Sequence, residues 1–160
     1  MRVAALLLLA ATTAGAQPAT HSVKLLTLET AQRAAQAALA KCSDAGYQVA
    51  VAVVDRSGIT QVMLRDRYAG PHTVEFSANK AWTAVTFKTK TSELVKLTQA
   101  GQGMSGLRNI PRFAAIGGGV TIEAGGSLFG ALGVSGAPSG EADETCALAG
   151  IKAIADSLEF

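Results

Sequence analysis

The chain has 160 residues, a formal net charge of +2 and two cysteines. This length allows one domain and hardly two. Because the sequence contains no basic block, it lacks the electrostatic footprint of a nucleic-acid-binding protein, and we expect no nucleic-acid partner.

Residues 1–16 have the composition of a secretory signal peptide. After a positive start, residues 3–11 are apolar, and a run of small residues ends at Ala16. A membrane anchor is the alternative, but this apolar run is shorter than the roughly 20 residues that span a bilayer. We therefore expect cleavage after Ala16 and a periplasmic or secreted protein with no membrane span once the signal is removed. A flexible lead-in over residues 17–26 would then precede a single domain over residues 27–160.

The first part of the domain predicts a helix followed by a β-hairpin. Thr27 can cap a helix that ends near Gly46. Its expected apolar stripe consists of Leu28, Ala31, Ala35, Ala38, Leu39 and Cys42. The apolar run over residues 49–54 predicts a strand buried on both faces, and residues 59–65 predict the return strand. Asp55 suits the turn between them, and an active-site role is the alternative.

The next helix, predicted over residues 72–87, has an unusual pattern of two stripes. One stripe consists of Val74, Ala78, Ala81 and Val85. The other, on the opposite side, consists of Phe76, Lys80, Thr83 and Phe87. One stripe must face the sheet. The other is apolar at its ends and polar in the middle, so a ligand, a second subunit or a neighbouring loop is expected to cover it.

The second half of the chain predicts a short helix from Thr91, several short strands and a final helix. The expected strands are residues 112–116, 120–122 and 127–134. The final helix is expected to begin at Ser139 or Gly140, and its core stripe consists of Ala147, Ile151, Ile154 and Leu158. Adjacent strands favour an antiparallel sheet with helices packed on it, which is an α/β arrangement of the α+β class. A doubly wound nucleotide-binding fold would alternate strand and helix throughout.

Three segments could carry chemistry. The glycines at 117–119 could cradle a phosphate, but they lack the Lys-Ser/Thr ending of a P-loop, so a turn with unusual backbone angles is favoured. Residues 133–137 lack the last glycine of a nucleophile elbow, which argues against a serine hydrolase. His72 lies at the start of the second helix, where a solvated histidine and a haem or metal ligand are both open readings.

Cys42 and Cys146 each lie on a predicted helix near an apolar stripe. The small residues Gly150 and Ala153 beside Cys146 allow another helix to approach closely. We therefore predict that the first and last helices are neighbours and that the two cysteines form a disulfide in an oxidising compartment. Two buried free thiols are the alternative.

Several short segments follow one another in the order of a known family. They are VAVVDRSG at 51–58, SANKAWTA at 77–84 followed by Thr91, GGGVTI at 117–122, GALGVSG at 130–136, Asp143-Glu144 and Ala149-Gly150. Together they resemble the GlcG/HbpS-like haem-binding family, which is also seen as the C-terminal domain of PduO-type proteins. The resemblance covers about residues 27–158. One departure is Thr121, where a proline is usual, and it puts only a local turn in doubt.

The resemblance implies a profilin-like fold with an antiparallel sheet between helices, oligomers that are often octamers, and haem binding. Haem needs apolar walls, partners for its propionates and an axial donor. The residues that would supply these are Phe76 and Phe87 as walls, Lys80, Thr83, Arg65 and Arg67 as propionate partners, and His72 as axial donor, with Tyr68 or Met63 as poorer donors. Lys80 and Thr83 could instead bond a neighbouring subunit or carbonyl groups at a strand end.

We therefore expect an exported homo-oligomer that binds haem or a similar small ligand without turnover, for haem or iron sensing, storage or scavenging. A small-molecule or haem-degrading enzyme of the same fold that uses Asp55, Lys80 and Ser135 is one alternative, and it requires these side chains to converge. A scaffold or sensor partner, whose second helix offers only a subunit interface, is the other alternative.

Overall fold

A computed structural model of the protein describes residues 18–158. A four-stranded antiparallel sheet with strand order β2-β1-β4-β3 lies between two helical layers. The helices are α1 Leu28–Asp44, α2 His72–Phe87, α3 Thr91–Leu97 and α4 Gly140–Lys152. The strands are β1 Ala50–Asp55, β2 Thr60–Arg65, β3 Gly119–Ala124 and β4 Ser127–Ser135. The predicted α+β fold is confirmed, and the signal peptide expected over residues 1–16 lies outside the described residues.

Helix α1 begins where the sequence predicts. The Thr27 side chain accepts a hydrogen bond from the backbone N–H of Thr30 at 3.2 Å, which caps the helix. The expected stripe is buried from Ala31 onward and also includes Ala34. Leu28 was expected in this stripe, but as the first residue of the helix it is 51% exposed.

The two faces of the sheet are packed differently. On one face, α1 and α4 cover Val51 and Val53 of β1, and Val49 just before this strand, in the larger core cluster. On the other face, α2 lies against small residues such as Ala131 and Gly133. A Cβ atom at Gly133 would overlap the carbonyl oxygen of Ser77, so only glycine lets α2 approach β4 this closely.

The turn between β1 and β2 is built by Asp55. Its carboxylate oxygen Oδ1 accepts hydrogen bonds from the N–H groups of Ser57 at 2.8 Å and Ile59 at 2.9 Å. Gly58 takes the left-handed conformation with φ +78°. The expectation that Asp55 serves its turn is therefore confirmed. Because its carboxylate bonds the turn backbone, the side chain is held there and is not directed at a distant site.

Residues 112–116 were predicted as a strand, and this prediction is wrong. The segment instead crosses the outer side of α2, where the N–H of Ala114 donates to the Thr83 hydroxyl at 2.9 Å. The Arg112 guanidinium also lies 5.1 Å from the ring centre of Trp82. The segment stays irregular because its amide hydrogen bonds go to a helix side chain rather than to a strand partner.

The final helix is shorter than its apolar stripe suggests. Helix α4 ends at Lys152, and a 3-10 turn follows over Ala155–Ser157. Ile154 and Leu158 are nevertheless buried in the larger core cluster, so the stripe identified core residues correctly and overestimated the helix. Among the helices of residues 18–158, none is both long and apolar enough to cross a bilayer.

Cys42 on α1 and Cys146 on α4 form a disulfide, which confirms the prediction over the free-thiol alternative. The two helices can approach because Gly150 faces α1: a Cβ atom there would lie 2.5 Å from the carbonyl oxygen of Ala34. The bridge joins residues 104 positions apart and ties together the two helices that cover one face of the sheet.

Replacing both Cys42 and Cys146 by alanine should lower the free energy of unfolding by about 2–5 kcal/mol, because the unfolded chain is no longer restricted by a long covalent loop and gains conformational entropy. Urea unfolding of the oxidised protein and of the double variant measures the difference. A reducing agent should destabilise the parent protein and leave the variant unchanged. Equal midpoints for the two proteins under oxidising conditions would contradict the prediction.

Candidate functional site

A cavity of about 280 Å³ lies at the end of the sheet where β1 begins and β4 ends. The start of α2 and the start of α4 form its sides, and we call it the α2–α4 cavity. Its lining includes Gln48, His72, Phe76, Lys80, Ser135 and Asp143. It therefore brings together side chains from α2, β4, α4 and the loop before β1, which are far apart in the sequence.

His72 lies at the edge of this cavity. Its imidazole meets the Phe76 ring edge-on, with the ring centres 6.1 Å apart. Gly70 leaves room for the imidazole, because a Cβ atom there would lie 2.8 Å from its Cε1 atom. Within residues 18–158 the exposed imidazole makes no hydrogen bond, so the nitrogen atoms of His72 are available to a ligand.

Lys80 and Asp143 form a buried ion pair on the inner side of the cavity. The Lys80 ammonium Nζ lies 2.6 Å from Asp143 Oδ2, and the two side chains are 2% and 4% exposed. Nζ also donates to the carbonyl oxygen of Val134 at 3.0 Å. The other carboxylate oxygen of Asp143 accepts from the N–H of Ala137 at 2.9 Å. The pair thus connects α2, the end of β4 and the start of α4.

Burial and mutual attraction act on this pair in opposite directions. Desolvation lowers the pKa of the Lys80 ammonium, while the charge of Asp143 and its hydrogen bond raise it. Desolvation likewise raises the pKa of the Asp143 carboxyl, while the charge of Lys80 lowers it. Burial is the larger effect, so the pKa of Lys80 lies below its usual value and the pKa of Asp143 lies above its usual value, while the short contact and the hydrogen bonds offset part of the cost of burying two charges.

The three consecutive glycines make room for this pair. At Gly118, with φ +116°, a Cβ atom would lie 2.7 Å from the Asp143 Cβ and 3.0 Å from the Lys80 ammonium. At Gly119 a Cβ atom would overlap the carbonyl oxygen of Lys80, and at Gly117 it would lie 2.8 Å from the carbonyl oxygen of Gly140. The glycines therefore serve backbone conformation and close approach, as the sequence favoured over a phosphate cradle.

The structure gathers three of the predicted haem-site residues, His72, Phe76 and Lys80, on the lining of one cavity. Lys80 and Thr83 are both buried, so the stripe of α2 that carries them is covered as expected, and Lys80 bonds a carbonyl group near the end of β4 as one alternative allowed. The Thr83 hydroxyl binds residues of the 112–116 segment, and a neighbouring loop thus covers this part of the helix.

The remaining predicted residues lie away from the lining. Phe87 packs edge-on against Phe113 with ring centres 5.2 Å apart. Arg65 donates to the carbonyl oxygen of Ala69 at 2.8 Å and so holds the loop before α2. Tyr68 on the same loop is 77% exposed. None of these side chains lines the α2–α4 cavity in a single chain.

The sequence pointed to Asp143 only as part of the Asp143-Glu144 segment of the family resemblance. Its partner Lys80 lies 63 residues earlier, so no local pattern links the two. Gln48 was also missed: its side-chain amide, in the orientation that satisfies both groups, donates to the Asp66 carboxylate. A search for opposite charges on apolar helix faces could have suggested the pair of Lys80 and Asp143. It would not have found the contact between Gln48 and Asp66, because the glutamine is uncharged.

The enzyme alternative required Asp55, Lys80 and Ser135 to converge. Lys80 and Ser135 line the same cavity, whereas Asp55 is at the far end of β1. Ala50, which pairs with Ser135, and Asp55 are separated by the length of this strand, about 16 Å. These three residues therefore do not form one catalytic site. Within residues 18–158, no three His, Cys, Asp or Glu side chains come together as a metal-binding cluster.

The sheet and its two helical layers define an α+β domain with the fold that the resemblance implied. The family model for HbpS-like haem-degrading proteins matches residues 26–152. The chain therefore belongs to the HbpS-like family.

Three known proteins illustrate this relationship. Streptomyces reticuli HbpS, solved as a double mutant, is 41% identical with a TM-score of 0.78, and the match covers 89% of this chain and 97% of that chain. PduOC in complex with haem is 33% identical with a TM-score of 0.77, covering 82% of this chain and 96% of PduOC. The corrinoid adenosyltransferase PduO of Salmonella typhimurium is 36% identical over 121 residues, which cover 74% of this chain and 36% of PduO. The chain thus spans about a third of PduO.

Replacing Asp143 by asparagine should lower the free energy of unfolding by about 3–5 kcal/mol, because Lys80 then remains buried without a counter-charge. Glu144→Gln is the matched control: it lies on the same helix, its partner Lys90 is partly exposed, and the expected loss is about 0–1 kcal/mol. Denaturant unfolding at pH 7 measures both. Equal losses for the two variants would contradict a special role of the buried pair.

The free energy of unfolding that the Asp143→Asn variant loses relative to the parent protein should become smaller as the pH rises. Burial lowers the pKa of the Lys80 ammonium below its value of 10.5 in the unfolded chain, and the charge and hydrogen bond of Asp143 oppose this effect, so the loss of Asp143 lowers the pKa further in the variant than in the parent protein. Between these two pKa values the unfolded state binds more protons, so the free energy of unfolding increases with pH. Unfolding curves at neutral and alkaline pH should therefore show the variant gaining stability relative to the parent protein.

Proposed function

We propose that the protein binds haem at the α2–α4 cavity, with His72 as the axial donor to the iron. The observation that carries this proposal is the imidazole of His72, which lies at the cavity edge beside Phe76 without a hydrogen-bond partner among residues 18–158. An imidazole in this state can ligate iron directly. The haem complex of the structural neighbour PduOC supports the same class of ligand.

The cavity lining fits part of a porphyrin. Phe76 and Ile116 are 45% and 43% exposed and both line the cavity, so two large apolar side chains are available as walls. These walls and the small residues of the 135–140 loop would exclude water from the ring. Haem, when bound, would supply an iron centre for ligand binding or one-electron chemistry, while His72 and the walls hold and orient it.

The size of the cavity supports an oligomeric protein. Its volume of about 280 Å³ is at or below the lower end of the range for small-molecule sites, which is roughly 300–1,000 Å³. One chain would therefore cover only part of the ring, and we propose that a second copy covers the remainder. A net charge near zero is compatible with such self-association.

We also propose that the protein is exported by a signal peptide over residues 1–16 and acts in haem or iron sensing, storage or scavenging. The disulfide between Cys42 and Cys146 supports export, because disulfides persist in oxidising compartments and are rare in the cytosol. The disulfide and the composition of the first residues are independent features that favour the same location.

Adding hemin to haem-free protein should shift the Soret band, and His72→Ala should weaken hemin binding by at least about tenfold because the iron loses its axial donor. His21→Ala is the matched control, since His21 lies in the lead-in before α1. An unchanged hemin spectrum with the parent protein would remove the haem proposal. Equal affinities for the parent and His72→Ala would retain haem binding and exclude His72 as the donor.

Haem breakdown is the second candidate function, because the matching family is described as haem-degrading. The same haem-loaded sample distinguishes the two. If the protein only binds haem, its Soret band should persist when ascorbate is added in air. If the band disappears faster than that of free hemin, and iron is released in equal amount, the protein degrades its ligand.

A further inference from the structure

Ser135 contributes a hydroxyl group to the lining of the α2–α4 cavity, and this group has no hydrogen-bond partner among the described residues. Ser135 ends β4, is 5% exposed and lines the α2–α4 cavity. Within residues 18–158 its Oγ atom makes no hydrogen bond, although the neighbouring Val134 carbonyl and Ala137 N–H are both engaged by the ion pair. A hydroxyl on a cavity wall whose bonds are not used within the described chain is available to a ligand.

The first turn of α4 begins on the lining of the same cavity and has two N–H groups without a partner among the described residues. Ser139 caps this helix of 13 residues through a bond from the N–H of Ala142 at 3.2 Å. The N–H of Asp143 is bonded to the carbonyl oxygen of Ser139 at 3.0 Å. The N–H groups of Gly140 and Glu141 have no partner within residues 18–158, and Ser139 and Gly140 line the cavity. Such a helix end attracts an anion through its N–H groups and its dipole.

The charges around this position do not oppose an anion. Both oxygens of Asp143 are occupied, one by Lys80 and one by the N–H of Ala137. Lys80 uses only two of the three N–H bonds of its ammonium group, and its charge balances that of Asp143. Glu141 is exposed and lines a different cavity, together with Lys96. The inner part of the α2–α4 cavity therefore offers donors without an uncompensated negative charge.

We propose that Ser135 Oγ and the N–H groups of Gly140 and Glu141 form a carboxylate-binding subsite. The carboxylate belongs to a porphyrin propionate, in which case the subsite deepens the proposed haem function, or to a small free carboxylic acid. This subsite would take the propionate-binding role that the sequence assigned to Lys80 and Arg65, because the charge of Lys80 is paired with Asp143 and Arg65 does not line the cavity.

The test for the subsite itself is an NMR titration of ¹⁵N-labelled protein with sodium propionate. The amide signals of Gly140 and Glu141 should shift and saturate. Ser135→Ala should weaken this binding by about tenfold, because one hydrogen bond to a charged group is lost. Ser127→Ala is the matched control: it lies at the opposite, exposed end of the same strand and should change nothing. Absence of saturable shifts at these two amides in the parent protein would overturn the proposal for a free acid.

The source of the carboxylate is tested by comparing hemin with hemin dimethyl ester, whose propionates are uncharged. If the subsite holds a propionate, the parent protein should bind hemin about tenfold more tightly than the ester, and Ser135→Ala should weaken hemin alone. If propionate shifts the amides but hemin and the ester bind equally, the subsite takes a free carboxylic acid. If neither test shows a preference for a carboxylate, the subsite is refuted even when hemin binds. If propionate binds and hemin does not, the haem proposal fails and the subsite stands.

Discussion

The buried ion pair between Lys80 and Asp143 is the interaction on which the site depends. It joins the middle of α2 to the start of α4, and its hydrogen bonds to Val134 and Ala137 fix the end of β4 between them. A charge buried in this way is tolerated only with a well-placed partner, so the relative position of the two helices is strongly constrained. The α2–α4 cavity is the space that remains beside this junction.

Glycine makes the junction possible. Gly133 lets the backbone of α2 approach β4, and Gly118 and Gly119 leave room for the lysine, the carboxylate and the backbone of α2. A larger residue at any of these positions would overlap these neighbouring atoms and push the helix and the sheet apart. The other face of the sheet shows the contrast: there valine side chains and alanine-rich helices form the larger core, and a disulfide joins α1 to α4.

The different packing of the two sheet faces explains how a cavity with polar groups can form in so small a domain. The valine-rich face and the disulfide supply stability, while the glycine-rich face brings polar groups together at one end of the sheet. His72 and Phe76 project from the first turns of α2 at the cavity edge, and Ser135 and the start of α4 lie further in. This is the end of the fold at which we propose that haem binds.

The sequence alone determined the features that depend on neighbouring residues: the bounds of α2, the Asp55 turn, the cap at Thr27, and the family. It also indicated the disulfide, since small residues beside Cys146 predicted a close helix. Only the tertiary structure decided that Lys80 is buried against Asp143, and that residues 112–116 cross α2 instead of forming a strand. The physical reason is that periodicity reports which residues share a face but not what covers that face. Because α2 is buried on the sheet side and also beneath the 112–116 segment, its two stripes could not be assigned without the contacts between distant parts of the chain.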